Sequence, residues 1–187
     1  IKDGRTTRAS KGTCKIWVLL FTCLYSRGVH LETLDQMSTE SFKMAFQRFQ
    51  DLRGECVYLR SDHGSNFIGA RNEEVPVNEK KAAENTIDQA KKRWNDEGKI
   101  WELNPPKASH MGGVWERKIG AIRQCIDTYM QQKQPGDRLL GREEFVTMLM
   151  HSARIVNSTP LWHTDSPTEP TPICPHMLLT QRDEGCT

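Results

Sequence analysis

The sequence predicts an α/β domain with a mixed sheet, part antiparallel and part parallel, and helices packed against it. Three observations support this fold class. Residues 14–24 are almost continuously apolar and β-prone, as expected for a strand that is covered on both faces. Residues 29–60 have the pattern of a strand, a helix and a second strand, which is a crossover connection. After residue 113, apolar residues recur at helical spacing in two further segments.

The first half of the chain supplies the predicted crossover. A turn at residues 26–28 ends the first strand, and residues 29–32 alternate as a flanking strand. Ser38 is placed to cap the next helix, Gly54 ends it, and residues 56–60 form a short half-buried strand. The apolar residues of this helix that we expect to face inward are Phe42, Ala45, Phe46, Phe49 and Leu52.

A polar insertion occupies residues 71–98. Its charges are of both signs, and a thin apolar stripe predicts a surface helix from about residue 79 to 96. The basic run at residues 91–93 offers a contact for phosphate, but a solvated charged face is the commoner explanation. Residues 99–103 then alternate as a strand next to the sheet edge.

Two helices and a tail complete the predicted architecture. The helix that follows Gly113 has an apolar stripe formed by Trp115, Ile119, Ile122, Ile126 and Met130. A last helix, at about residues 142–157, presents Phe145, Met148, Leu149, Ser152, Ile155 and Val156 inward. Closely spaced prolines after Thr159 predict a tail without a regular element.

Composition is that of an ordinary globular domain. The 187 residues fit one domain with an extension, and 36% hydrophobic with 27% charged residues suggests neither disorder nor a membrane protein. No apolar run approaches the roughly 20 residues that span a bilayer. Because the formal net charge is only +2, binding to nucleic acid has to come from a local basic surface.

The cysteines predict reduced thiols in an intracellular protein, since the six residues have no paired spacing. Four of them fall in predicted strands or a helix, where we expect burial: Cys14, Cys23, Cys56 and Cys125. A zinc site would have to combine Cys174, His176, Cys186 and His163. Their spacing matches no usual pair of zinc ligands, so we expect none.

Two carboxylates stand where a metal site can be built. Asp62 comes at the end of a strand, and Gly64 permits a sharp turn after it. Glu116 stands in the first turn of the helix after Gly113, beside the apolar stripe. Asp62 also has an ordinary explanation as a turn former, and Glu116 as an acid that stabilises a helix N-terminus. If the two acids meet, their hard oxygen atoms suit Mg²⁺ or Mn²⁺.

Around these acids the chain resembles the catalytic core of retroviral-type integrases, specifically those of BEL/Pao-like retrotransposons. The resemblance rests on residues 61–67 (Ser-Asp-His-Gly-Ser-Asn-Phe), 104–106 (Asn-Pro-Pro) and 110–117 (His-Met-Gly-Gly-Val-Trp-Glu-Arg). Residues 20–24, 27–32 and 153–160 also look like this family. These segments follow the family's order over nearly the whole chain.

The resemblance implies an RNase H-like fold, a mixed sheet flanked by helices, with three carboxylates that hold Mg²⁺ or Mn²⁺. Asp62 and Glu116 would be two of these catalytic metal ligands. The family's first carboxylate lies in a strand before the one at residues 14–24. We therefore expect that first strand to be missing here, with its aspartate upstream of Ile1. Asp3 is the alternative, but a hairpin turn at that position would point away from the site.

The implied activity is DNA integration by two-metal polynucleotidyl transfer, which comprises 3′-end processing and strand transfer. The implied partners are DNA ends, a target duplex and further copies of the chain, in the nucleus. Residues expected to contact DNA are Ser65, Asn66, His110, Arg117, Lys118 and Arg123. The core would span residues 1–160 and the proline-rich tail residues 161–187. A catalytically inert nucleic-acid-binding remnant and a metal-dependent nuclease of the same fold are the alternatives.

Overall fold

A computed structural model describes residues 15–36, 38–61, 88–89, 91–92, 94–105, 113–134, 139–162 and 172–182. The elements in chain order are β1 (Trp17–Thr22), β2 (Val29–Leu34), α1 (Thr39–Arg53), β3 (Tyr58–Ser61), β4 (Ile100–Leu103), α2 (Gly113–Gln131), α3 (Arg142–Ser158) and α4 (Pro175–Thr180). Residues 88–89, 91–92 and 94–96 are also helical, within the predicted surface helix.

The mixed α/β arrangement, part antiparallel and part parallel, agrees with the prediction, but the described strands do not form the single mixed sheet that was predicted. β1 pairs antiparallel with β2, with Trp17 opposite Leu34. β3 pairs parallel with β4, with Tyr58 opposite Ile100. Among the described residues these pairs are two separate two-stranded ribbons, because no backbone ladder joins β1 to β3.

Successive side chains of β1 contribute to two apolar cores, one on each face of the strand. Trp17, Leu19 and Phe21 pack with the aromatic residues of α1, together with Trp94 and Trp101. Val18 and Leu20 pack on the opposite face against α2 and α3. Successive side chains of a strand point to opposite faces, so a continuously apolar strand must be covered twice. The prediction for this strand is confirmed.

Helix α1 begins and ends where its capping residues predict. The hydroxyl of Ser38 accepts a hydrogen bond from the Ser41 N–H, and Gly54 takes a positive φ of 90° at the C-cap. Phe42, Ala45 and Phe46 are buried. Leu52 was expected inward but is 69% exposed. That expectation is wrong because the last turn of the helix reaches the rim of an open cavity, which Leu52 lines.

Helices α2 and α3 pack against each other and against the β1–β2 ribbon. Ile122, Met148, Leu149 and Val156 belong to their shared core. Ile155 is 45% exposed, contrary to the prediction, because it points about 100° around the helix from Val156. The bounds of α3 agree with the predicted 142–157 to within one residue.

The expectation of no regular element after Thr159 is wrong at α4. Pro175 is the first residue of this helix, a position where the fixed φ and missing N–H of proline favour helix initiation. Helix α4 packs on α3, and its Leu179 approaches Gly28 so closely that a Cβ there would lie 2.6 Å from a Leu179 methyl group. No helix in the described ranges is long and apolar enough to cross a membrane.

The described cysteines are free thiols, but their burial differs from the prediction. Cys174 is buried, Cys56 and Cys125 are half-buried, and Cys23 is exposed. Cys23 was expected to be buried within a strand, whereas β1 ends one residue earlier, at Thr22. Cys14 and Cys186 lie outside the described residues, as do Asp3 and His163.

Candidate active site

A cavity of about 490 Å³ opens between β1, β3 and α2. Ser61, the last residue of β3, lies on its wall, and so do Trp115 and Ile119 of α2. Ser61 directly precedes Asp62 in the sequence, and Trp115 directly precedes Glu116. The two segments that carry the sequence-predicted acids therefore reach one cavity.

Hydrogen bonds hold the end of β3 at this cavity. The indole N–H of Trp101 donates to the Ser61 hydroxyl at 2.9 Å, and the Asn104 N–H donates to the Ser61 carbonyl, also at 2.9 Å. Asn104 is only 2% exposed, and its side-chain oxygen accepts from Arg60 Nε at 2.8 Å. The end of β3, just before Asp62, is therefore held by three hydrogen bonds to two residues, Trp101 and Asn104. Asp62 itself lies outside the described residues, as do Ser65 and Asn66.

Glu116 stands in the first turn of α2 with its side chain exposed. Its neighbour Trp115 is 8% exposed and anchors this turn in the wall of the cavity. Glu116 makes no hydrogen bond or ion pair with another described residue. No described residue therefore competes with a ligand for its carboxylate oxygens. The position beside the apolar stripe agrees with the prediction.

The three basic residues of α2 that were predicted to contact DNA do not lie on the same side of the helix. Arg123 is exposed and lies seven residues after Glu116, which is two turns along the same side. Arg117 is also exposed, and its Nε donates to the Gly113 carbonyl at 2.9 Å. Lys118 lies about 200° around the helix from Glu116 and is half-buried.

Lys118 stands near a second cation, which the sequence reasoning did not single out. Burial lowers the pKa of Lys118, and the positive charge of Arg27 in the β1–β2 turn lowers it further. His110, the remaining predicted DNA contact, lies outside the described residues.

A buried polar network borders the cavity on β2. His30 and Glu32 are 9% and 8% exposed, and His30 Nε2 lies 2.9 Å from a Glu32 carboxylate oxygen. Arg48 Nε donates to the other oxygen at 2.7 Å, and Arg53 Nε lies 3.4 Å from His30 Nδ1. Burial lowers the pKa of His30 despite the raising effect of Glu32. The imidazole is therefore neutral near pH 7, with Nε2–H donating to Glu32 and Nδ1 accepting from Arg53.

No group of three or more His, Cys, Asp or Glu residues is arranged to hold a metal ion within the described ranges. Asp62 is not among those ranges, so the pairing of Asp62 with Glu116 stays a prediction. The described part of the site comprises the exposed carboxylate of Glu116, the fixed end of β3 and a largely apolar cavity, whose lining also includes Glu55 and Arg60.

Comparison with known proteins gives one solved structure of interest. The chain is similar to the HTLV-2 integrase catalytic core domain, determined in complex with magnesium in a trimeric form. The alignment covers 87% of this chain and 94% of that chain, at 11% sequence identity and a TM-score of 0.46. Neither a protein-family model nor a curated protein matches the chain. Because a TM-score of this size does not establish a common fold, family membership stays a proposal.

Residues outside the predicted set also shape the site. Trp101 and Asn104 fix the end of β3, and Arg27 approaches Lys118. Asn104 belongs to the Asn-Pro-Pro segment at residues 104–106, so its place in the family pattern was a usable signal. Arg27 likewise belongs to a segment, residues 27–32, that looks like the family. No comparable signal marked Trp101, because its contact with Ser61 joins residues far apart in the chain.

Proposed function

We propose that the chain is the catalytic core of a retroviral-type integrase, similar to those of BEL/Pao-like retrotransposons, with an RNase H-like fold. It would join DNA ends to a target duplex by polynucleotidyl transfer. The observation that supports this most is that Ser61 and Trp115 line one cavity. Ser61 directly precedes Asp62 in the sequence, and Trp115 directly precedes Glu116, so each proposed ligand follows a residue that lines the cavity.

Asp62 and Glu116 would hold Mg²⁺ or Mn²⁺. Glu116 fits this role because its exposed carboxylate is not engaged by another described residue, and hard cations prefer carboxylate oxygen. When bound, a pair of such ions activates an attacking oxygen and stabilises a leaving oxygen in an in-line displacement at phosphorus. The resemblance implies a third carboxylate beside these two, and a site that lacks one of its ligands binds the ions weakly.

The protein's own groups would position these ligands and the DNA. The bonds from Trp101 and Asn104 fix the residue before Asp62, and the buried Trp115 fixes the turn that carries Glu116. Arg123, on the same side of α2 as Glu116, would neutralise backbone phosphates near the reacting centre. Ser65, Asn66, His110, Arg117 and Lys118 are the other proposed DNA contacts. The active form would be a homo-multimer acting in the nucleus.

Manganese binding tests the metal site without requiring activity. Mn²⁺ broadens nuclear magnetic resonances near its binding site, so titration of the chain should broaden the amide signals of Ser61 and Trp115 first. Asp62→Asn and Glu116→Gln should each abolish this broadening. Glu143→Gln is the matched control, since Glu143 is an exposed acid in the first turn of a different helix, α3. Broadening that survives in both site variants would overturn the proposed ligands.

A DNA assay then separates the three candidate functions. The chain, extended upstream to include the proposed first strand, is incubated with Mg²⁺, a labelled DNA end and a target duplex. Joined products that require Asp62 and Glu116 support an integrase. Cutting without joining supports a metal-dependent nuclease of the same fold, and binding without either reaction supports an inert remnant.

A further inference from the structure

A glycine stands inside α2 at a position where no described neighbour requires it. Gly120 is the eighth of the 19 residues of this helix. Glycine in a helix interior is less stable than alanine, because it loses more backbone freedom on folding. It has a structural reason where another element comes close, as Leu179 does at Gly28. A Cβ added at Gly120 would meet no described atom within 4 Å, and the residue is exposed.

The surface around Gly120 is basic on both sides. Arg117 and Arg123 lie three residues before and after it, so each stands one turn away, about 60° to either side. Both arginines are exposed. Arg117 Nε donates to the Gly113 carbonyl at 2.9 Å, which draws this side chain toward the start of the helix. The helix surface at Gly120 is therefore uncovered by described residues and lies between two guanidinium groups.

This surface suits a phosphate of a polynucleotide better than a helix of another protein molecule. Arginine presents a planar fork of N–H donors that matches the oxygen atoms of a phosphate. The cores of protein interfaces are depleted in charged residues, whereas Gly120 has Glu116 one turn before it as well as the two arginines. Because backbone groups inside a helix are already bonded, the glycine contributes space for the ligand and not a hydrogen bond.

The spacing along α2 agrees with a DNA strand that also reaches the proposed metal site. The helical rise places Gly120 about 6 Å and Arg123 about 10.5 Å beyond Glu116 along the axis. One strand of DNA carries a phosphate about every 3.4 Å of its axis. A strand that runs along α2 from a metal ion at Glu116 would therefore pass over Gly120 before it reaches Arg123.

We propose that Gly120 is a positioning residue for DNA: its missing side chain lets one phosphate lie against α2, where Arg117 and Arg123 bind it from either side. The ligand, DNA, rests on the proposed function, and the inference adds the point at which the strand comes closest to the helix. A side chain at residue 120 would hold the phosphate away from α2 and keep the two arginines from reaching it together.

A size series at residue 120 tests the proposal, because stability and DNA affinity should change in opposite directions. Gly120→Ala should raise the Tm by about 2 °C or more, since alanine is the better helix former. The same variant should raise the Kd for a labelled DNA duplex by about threefold, and Gly120→Leu by about tenfold or more. For Gly120→Leu the slope of log Kd against log salt should also fall by about one, because one phosphate contact is lost.

Thr147→Ala and Thr147→Leu are the matched controls, since Thr147 is exposed inside a different helix, α3. Alanine and leucine are also better helix formers than threonine. These two variants should therefore raise the Tm while leaving the Kd for DNA and its salt dependence unchanged. Together the two series separate the effect of helix stability from the effect of side-chain size at residue 120.

Three results would overturn the proposal. The Gly120 variants could bind DNA as tightly as the unchanged chain, or lower the Tm, which would mean that a packed neighbour needs the glycine. Gly120→Leu could instead dissociate a multimer in sedimentation velocity, which would assign the space to a second copy of the chain. Joining of DNA ends by the extended chain reports on the proposed function separately. A chain that shows the expected Gly120 series but joins no ends would retain this inference and lose the integrase activity.

Discussion

Asn157 of α3 covers the outer edge of β2 by bonding to both backbone groups of Val29. Its side-chain oxygen accepts from the Val29 N–H at 2.7 Å, and its side-chain nitrogen donates to the Val29 carbonyl at 2.9 Å. Val29 occupies a position whose backbone groups point away from β1, so a side-chain amide here replaces a neighbouring strand. Asn157 is 6% exposed and Val29 is 1% exposed, so water cannot take over these bonds.

Replacing Asn157 with alanine should destabilise the protein strongly. The Asn157→Ala variant leaves a buried N–H and a buried C=O of Val29 unsatisfied, and each such group costs about 1–3 kcal/mol. We expect the free energy of unfolding to fall by about 3 kcal/mol in urea denaturation. His151→Ala, at an exposed position of the same helix, is the control and should change it by less than about 0.5 kcal/mol. An equal, small effect of the two substitutions would contradict a structural role for Asn157.

Stability should decrease as the pH falls below about 7 because of His30. Burial and the nearby arginines lower the pKa of His30, whereas the unfolded chain protonates at the ordinary value of about 6.5. Between these two pKa values the unfolded state binds more protons, so the free energy of unfolding decreases with falling pH, by at most about 1.4 kcal/mol per pH unit. His30→Gln should remove this dependence between pH 7 and 5. His151→Gln, at an exposed position, should leave it in place.

Cys23 should be the most reactive of the described thiols. Burial alone would raise the pKa of Cys23, but hydrogen bonds from Ser26 and Tyr25, with the charge of Arg27, outweigh it and lower the pKa. Burial raises the pKa of Cys56. Iodoacetamide at pH 7.5 should therefore alkylate Cys23 about tenfold faster than Cys56, as followed by mass spectrometry. Arg27→Gln should slow the reaction at Cys23. Faster labelling of Cys56 would contradict this electrostatic account.

Periodicity predicted the elements that pack over their full length. The continuous apolar character of β1 correctly predicted that both of its faces are covered. Ser38 and Gly54 correctly predicted where α1 begins and ends. The predictions were wrong where the packing between elements, and not the local sequence pattern, decides the structure. Leu52 fits the stripe of α1 but reaches the rim of a cavity, and Pro175 starts a helix where closely spaced prolines indicated none.

The candidate site was predictable only in part, for a related reason. The position of Glu116 follows from helical spacing within a single element, and the structure bears it out. The bond from Trp101 to Ser61 joins residues 40 apart, and the bonds from Asn157 to Val29 join residues 128 apart. Such contacts depend on how elements pack, and one sequence carries no periodic signal for them. A contact between Asp62 and Glu116, which stays a prediction, would be of the same kind.

If Asp62 is a catalytic metal ligand, as proposed, the bond from Trp101 to Ser61 should help to position it. Trp101→Phe keeps an aromatic ring against Phe42, whose ring centroid lies 5.8 Å away, but removes the N–H that donates to the Ser61 hydroxyl. Ser61→Ala removes the other partner of the same bond. Each variant should lower the rate of DNA strand transfer by the extended chain, with a loss of stability of only about 1 kcal/mol.

The double variant distinguishes positioning by this bond from independent packing effects. If the bond is what matters, the Trp101→Phe and Ser61→Ala double variant should transfer DNA no more slowly than the slower single variant. Under the proposed function the KM for DNA should be little changed, because the bond would act on Asp62 and not on DNA binding. Rate losses that multiply in the double variant would show that the two side chains act separately. The end of β3 would then not be held for catalysis by this contact.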